Sequence, residues 1–163
     1  MRTSRLYVGV VGTVALLGMF AIVRSNVAAQ ADPHVGTWVL NVAKSKYTPG
    51  PPPKEQTSVY SMAGQGIRVS TKGVGADGKP TTLEFTAMFD GKDHPATGNP
   101  DFDATAMKRV DSHTLEFTRK KAGKVVQTAT SAVSKDGKTR TVTTTGTNSQ
   151  GQKINNVGVY EKT

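Results

Sequence analysis

Beyond residue 35 the chain alternates apolar and polar residues with a period of two. The clearest run sets Leu83, Phe85, Ala87 and Phe89 against Thr82, Glu84, Thr86 and Met88, and Leu115 and Phe117 against Thr114, Glu116 and Thr118 repeat it. Such a period sends successive side chains to opposite faces of a pleated strand, so each segment is apolar on one face and wetted on the other. The pattern predicts nine strands, at 38–42, 56–62, 67–73, 81–89, 102–110, 113–120, 125–133, 139–147 and 154–162. Between them stand Asp77-Gly78, Asp90-Gly91, Ala122-Gly123, Asp136-Gly137 and Gln150-Gly151, where glycine supplies the positive φ that a tight hairpin needs.

Sequential hairpins make a meander. An open sheet of nine strands leaves two exposed edges, which closure into a barrel or a two-layer sandwich removes or protects. The fold class read from the pattern is all-β: an antiparallel meander closed into a small barrel of about 8 to 10 strands, with the sandwich as the alternative. The segment 47–53, Tyr-Thr-Pro-Gly-Pro-Pro-Pro, is excluded from strand and helix because consecutive prolines lack donors. The three Asp-Gly-Lys turns share no period and are reused turn chemistry rather than an internal repeat.

Ahead of the strands, Arg2 and Arg5 precede an uncharged stretch at 6–23 and then small residues, the plan of a secretory signal peptide. Cleavage fits after Ala31 or after Ala29; retention as an anchor is the alternative, since the uncharged stretch approaches the roughly 20 residues that span a bilayer. The expected organisation is a signal peptide at 1–31 and one domain at 32–163, located in the periplasm or secreted.

Composition narrows the chemistry. The 163 residues include 21 Lys plus Arg, 12 Asp plus Glu and no cysteine. Without Arg2, Arg5 and Arg24 the balance is 18 against 12, or +6. Lacking cysteine, the chain has no disulfide, thiol nucleophile or thiolate metal site. Its lysines are spread out, and the one cluster, Arg119-Lys120-Lys121 with Lys124, falls at a hairpin tip, where lysine commonly blocks edge aggregation. No aromatic residues interleave with the basic ones, so no nucleic-acid partner is expected. Threonine, 20 of the residues from 32 onward, suits a sheet wetted on one face.

Gly36-Thr37-Trp38 opens the first strand, and at these residues the chain resembles the lipocalin and fatty-acid-binding (calycin) superfamily, whose first strand bears a Gly-x-Trp motif. The resemblance implies a barrel in which the tryptophan plugs one end and a basic residue, Lys162 or Arg140 here, packs over it. The stretches 36–46 and 90–101 are also similar to a group of exported bacterial proteins with a lipocalin-like pattern and no activity attached.

No catalytic constellation emerges. His34, His94 and His113 have no metal-motif spacing, although any one of them offers the single axial ligand that a haem barrel resembling nitrobindin requires. Asn99-Pro100-Asp101-Phe102-Asp103 begins like a calcium loop, but Ala104 and Val110 occupy the positions that need glycine and glutamate. There is no nucleophile elbow, and Asp77, Asp90 and Asp136 are turn formers. The reading is therefore a non-enzymatic barrel without metal or cofactor that binds a small, partly apolar ligand. Its expected lining is Trp38, Tyr60, Leu83, Phe85, Phe89, Leu115, Phe117 and Tyr160, with 47–53 and 92–101 as mouth elements. The alternative is an envelope interaction domain with a filled core and a basic surface for a protein or anionic polymer; oligomeric state is left open.

Overall fold

The computed structural model describes residues 31–163; the leader assigned to 1–31 lies outside the described residues except for Ala31. Ten antiparallel strands follow in chain order: β1 Gly36–Leu40, β2 Glu55–Ala63, β3 Gly66–Val74, β4 Pro80–Met88, β5 Asp90–Thr97, β6 Ala104–Asp111, β7 Thr114–Lys121, β8 Lys124–Val133, β9 Thr139–Thr147 and β10 Lys153–Lys162. Each pairs with its sequence neighbours, and β1 pairs with β10, closing the barrel. The closed antiparallel meander implied by the Gly36-Thr37-Trp38 resemblance is thus the architecture of this chain, and the sandwich alternative is not.

The turns work by one device. In all three Asp-Gly-Lys turns the aspartate Oδ1 accepts the lysine backbone N–H, at 3.0 Å for Asp77, 3.0 Å for Asp90 and 3.1 Å for Asp136. These are Asx turns, and the same bonds hold the Asp77 and Asp90 carboxyls below their ordinary pKa; at Asp136 the Ser134 hydroxyl is the larger cause and the Lys138 N–H the second.

The sequence pattern misplaced two regions. Strand β1 begins at Gly36 and ends at Leu40, two residues earlier at each end than predicted, because Asn41 caps a short 3-10 turn, Val42–Lys44, through its side-chain oxygen. More consequentially, the supposed mouth loop 92–101 is mostly strand β5, so only 98–101 remains a loop and the count is ten rather than nine. Asp90 and Gly91 already belong to β5, and the chain turns at Phe89. Strand β5 escaped notice because Ala96 is its one buried residue, which leaves no apolar alternation to read.

Proline in β5 is accommodated by a gap. Strand β4 registers with β5 only at Glu84 with Thr97 and at Phe85 with Ala96. The Ala96 N–H donates to the Asp103 carbonyl at 2.8 Å, on the β6 side, so the neighbouring Pro95 nitrogen faces β4, where little ladder exists to need its missing donor. Lower in this gap, the Met88 N–H donates to His94 Nε2 at 3.4 Å.

The core occupies the closed end. Trp38, Ile67, Val69, Ala87, Met107 and Leu115 are almost fully buried there or just above it. Trp38 is covered by both proposed cations: Arg140 lies 5.2 Å and the Lys162 amine 5.0 Å from its ring centre.

Candidate functional site

Strand alternation aims Gln56, Ser58 and Tyr60 of β2, Leu83 and Phe85 of β4, Phe117 and Arg119 of β7, Arg140, Val142 and Thr144 of β9, and Tyr160 of β10 into the barrel. They enclose two spaces. The outer, about 300 Å³, opens at the mouth beside Tyr47, Pro53, Asn99, Asp101 and Phe102. The inner, about 70 Å³, is lined by Tyr60, Phe85, Phe117, Arg119 and Arg140 among others. Gln56, Leu83, Arg119, Val142 and Tyr160 border both.

The expected lining divides on this geometry. Tyr60, Leu83, Phe85, Phe117 and Tyr160 border the cavity. Trp38 and Leu115 do not; they are packed in the floor and the wall, each 0% exposed. Phe89 sits in the turn after β4 at the closed end, where the Arg109 guanidinium lies 3.9 Å from its ring centre. It belongs to the last step of the Leu83–Phe89 alternation, but β4 stops at Met88, so Phe89 packs half-buried against the core from the turn and borders neither space. Of the mouth elements, 47–53 contributes Tyr47 and Pro53, and the loop remnant contributes Asn99 and Asp101. None of the three histidines borders either space, so the axial ligand of a haem barrel is not aimed into the cavity. Among the described residues no group of three metal-ligating side chains occurs.

What the sequence reading missed is the polar character of the interior, above all its two arginines. Arg140 is 1% exposed, and its Nε and Nη1 have no hydrogen-bond partner among the described residues. Its guanidinium stands 4.2 Å from the Tyr60 ring centre and 4.6 Å from that of Tyr160. Three aromatic faces, counting Trp38, stabilise the cation without satisfying its N–H groups. Arg119 lies over the Phe102 ring at 4.8 Å and donates to Gln127 Oε1 at 3.1 Å; Gln127 in turn donates to Asp101 Oδ2 at 3.0 Å. Burial lowers the Arg119 pKa, which the Asp101 carboxylate partly offsets, and a guanidinium remains charged in such a setting.

The remaining polar groups are arranged as neutral donors and acceptors. Tyr160 donates to Gln56 Oε1 at 2.7 Å, and burial raises the pKa of both Tyr160 and Tyr47, keeping the phenols protonated. Ser58 and Thr71 hydroxyls share a 2.9 Å bond. Arg119 was legible in principle: it continues the inward series Leu115, Phe117 by one more step of two. That same alternation divides the basic cluster, since Lys120 turns outward and pairs with Asp93 at 2.7 Å.

No protein-family model and no curated protein matches this chain. Among solved structures, it is similar to zebrafish ileal bile acid-binding protein complexed with cholic acid, at a TM-score of 0.48 and 14% identity over 80% of this chain and 99% of that one.

Proposed function

We propose that the barrel binds a small amphipathic molecule bearing an anionic head, such as a carboxylate or sulfonate. The head would lie against Arg140 and Arg119 and the apolar part against Leu83, Phe85, Phe102, Phe117 and Val142. One observation carries this reading: Arg140, which borders the inner space, is buried at 1% exposure, and two of its nitrogens have no hydrogen-bond partner among the described residues. A buried charge without a counter-ion is costly, and an entering anion would both neutralise it and satisfy its donors. The outer space, about 300 Å³, is at the small end of the range for ligand pockets.

The interior is open to a guest, whereas the interaction-domain alternative requires a filled core; the outward basic cluster is also reduced by the inward turn of Arg119 and the Lys120–Asp93 pair. Export from the cytoplasm is part of the proposal and is supported by the leader pattern at 1–31; the intact mass of protein from the producing cell, shortened by that leader, is its check.

The binding test is displacement of a fluorescent anionic amphiphile, anilinonaphthalene sulfonate, from the purified protein. Dodecanoate should displace it at least tenfold more effectively than dodecanol, and Arg140→Met should abolish the difference. Equal displacement by acid and alcohol would remove the anionic-head reading; no displacement by either would remove the binding barrel. Mass spectrometry of a solvent extract of protein from its own cell envelope would identify a resident guest.

A further inference from the structure

Beneath the cavity, residues 32–35 stopper the closed end of the barrel. The Val35 N–H closes a turn on the Asp32 carbonyl at 3.0 Å, and the His34 N–H donates to Asp32 Oδ1 at 2.9 Å. Three ties bind this turn to the barrel. The other Asp32 carboxylate oxygen pairs with Arg109 of β6, the Lys162 amine of β10 donates to the Pro33 carbonyl at 3.2 Å, and the Trp38 indole N–H of β1 donates to the His34 carbonyl at 2.8 Å.

The stopper's centre is the His34 imidazole. It is 0% exposed, and neither ring nitrogen has a hydrogen-bond partner among the described residues. The charged and titratable groups that act on it are Asp32 from its own turn, Arg109 from β6, Arg140 from β9 and His113 from the β6–β7 turn, and the Lys162 amine of β10 stands at the adjacent Pro33 carbonyl. Two are permanent cations, and the single carboxylate is already engaged by Arg109. A neutral ring costs only its unmade hydrogen bonds. An imidazolium in the same place would be a buried charge beside two guanidiniums.

We propose that His34 makes residues 32–35 an acid-released latch: protonation expels the imidazole from the barrel floor, breaks the Trp38 indole bond to the His34 carbonyl and exposes Trp38 while the sheet stays closed. Two facts support a switch in the acidic range rather than near neutrality. Burial lowers the His34 pKa to about 4, with Arg109, Arg140 and His113 lowering it and Asp32 raising it. The released ring regains its ordinary value near 6.5, so release should occur between those limits. This proposal does not depend on what the cavity holds.

Trp38 is the one tryptophan of the chain, which makes its emission a direct reporter. The experiment is a titration from pH 7.5 to 4 of tryptophan emission, acrylamide quenching and far-ultraviolet circular dichroism on the same protein, for wild type and His34→Phe. In the wild type the emission should move to the red and the quenching constant at least double while the sheet signal is retained; in the variant neither should change. An identical transition in the variant, no transition in the wild type, or loss of the sheet signal together with the emission would overturn the latch. If His34→Phe does not fold, carbon-13 spectra of the histidine rings in the wild type decide it. The Trp38 change must follow the His34 titration, and a change following His94 or His113 instead would refute the proposal.

Discussion

Arg140 does two things at one residue. Its guanidinium stacks among Trp38, Tyr60 and Tyr160 as a structural lid on the barrel floor, and the residue borders the inner space with two nitrogens unpaired among the described residues. Replacing a buried, unpaired charge by an apolar side chain of similar size is often neutral or stabilising. Arg140→Met should therefore stay within about 1 kcal/mol of wild-type stability, by urea unfolding, while losing the preference for an anionic ligand. Trp38 has no such second role: Trp38→Ala should cost about 3 to 5 kcal/mol in the same measurement, since the ring is 0% exposed and its removal leaves a cavity in the floor. Gly146 shows the backbone constraint most sharply, because its φ is +139° and a Cβ there would lie 2.1 Å from the Val126 carbonyl oxygen of the paired strand. Gly146→Ala should lose about 2 kcal/mol, the scale of local backbone strain, and unchanged stability would mean that β8 and β9 are not held this close.

Among the elements, β5 is set apart by composition and by pairing. It has one buried side chain, a proline, and only two registered positions against β4, whereas β3 registers with β4 from Gly66 with Met88 to Val74 with Pro80. Few ladder bonds and little apolar burial place an element at the low end of local stability. Amide hydrogen exchange should therefore be fastest among the strands in β5 and slowest in the β2–β3–β4 ladder. Uniform protection across β4 and β5 would contradict the gap. The segment 47–53 illustrates the opposite case, a stretch without regular structure that is nonetheless tied down. Lys46 pairs with Val157, the Thr48 carbonyl accepts the Asn155 N–H at 2.9 Å, and the Thr48 N–H donates to Asn156 Oδ1 at 3.0 Å. That attachment is what sets Tyr47 and Pro53 beside the mouth.

For the molecule as a whole, the closed end sets the response to acid. A histidine whose folded pKa lies below its unfolded one binds its proton more readily when unfolded, so its contribution is complete above about pH 6.5 and is lost as pH falls towards about 4. Between those values His34 should cost at most about 3 kcal/mol of unfolding free energy, at about 1.4 kcal/mol per pKa unit, and release of residues 32–35 caps that loss by freeing the ring to its ordinary value. The carboxyls of Asp77, Asp90, Asp111, Asp136 and Glu161 are held low by hydrogen bonds, so they also favour the folded state, but their contribution is lost only below the ordinary carboxylate range. Urea unfolding across pH should thus show stability already falling between pH 6.5 and 4, and His34→Phe should flatten that interval while leaving the drop at lower pH. A wild type as stable at pH 4.5 as at pH 7 would rule this out.

The sequence by itself determined nine of the ten strands, the turns and their meander order, because these depend on neighbours along the chain; closure through β1 and β10, against a sandwich, was decided by the tertiary structure. Period-two alternation marks the half-buried strands, Asp-Gly-Lys closes the Asx turns, and Gly36-Thr37-Trp38 marks the floor. It did not determine β5, whose apolar signal is one alanine, since that strand is held by its neighbour β6 rather than by burial of its own. Nor did it determine the character of the interior. Phe85, Phe117 and Tyr160 were legible as inward residues by type and period, but apolar type also suggested Trp38, Leu115 and Phe89, which closure assigns to the floor, the wall and a turn. Only the tertiary structure brought Arg119 of β7 and Arg140 of β9 around one space and enclosed His34 among strands β1, β6, β9 and β10. Those juxtapositions join residues up to more than a hundred positions apart, and barrel closure creates them. A local pattern records which face a side chain takes, whereas a binding site or a latch depends on what stands opposite it across the barrel.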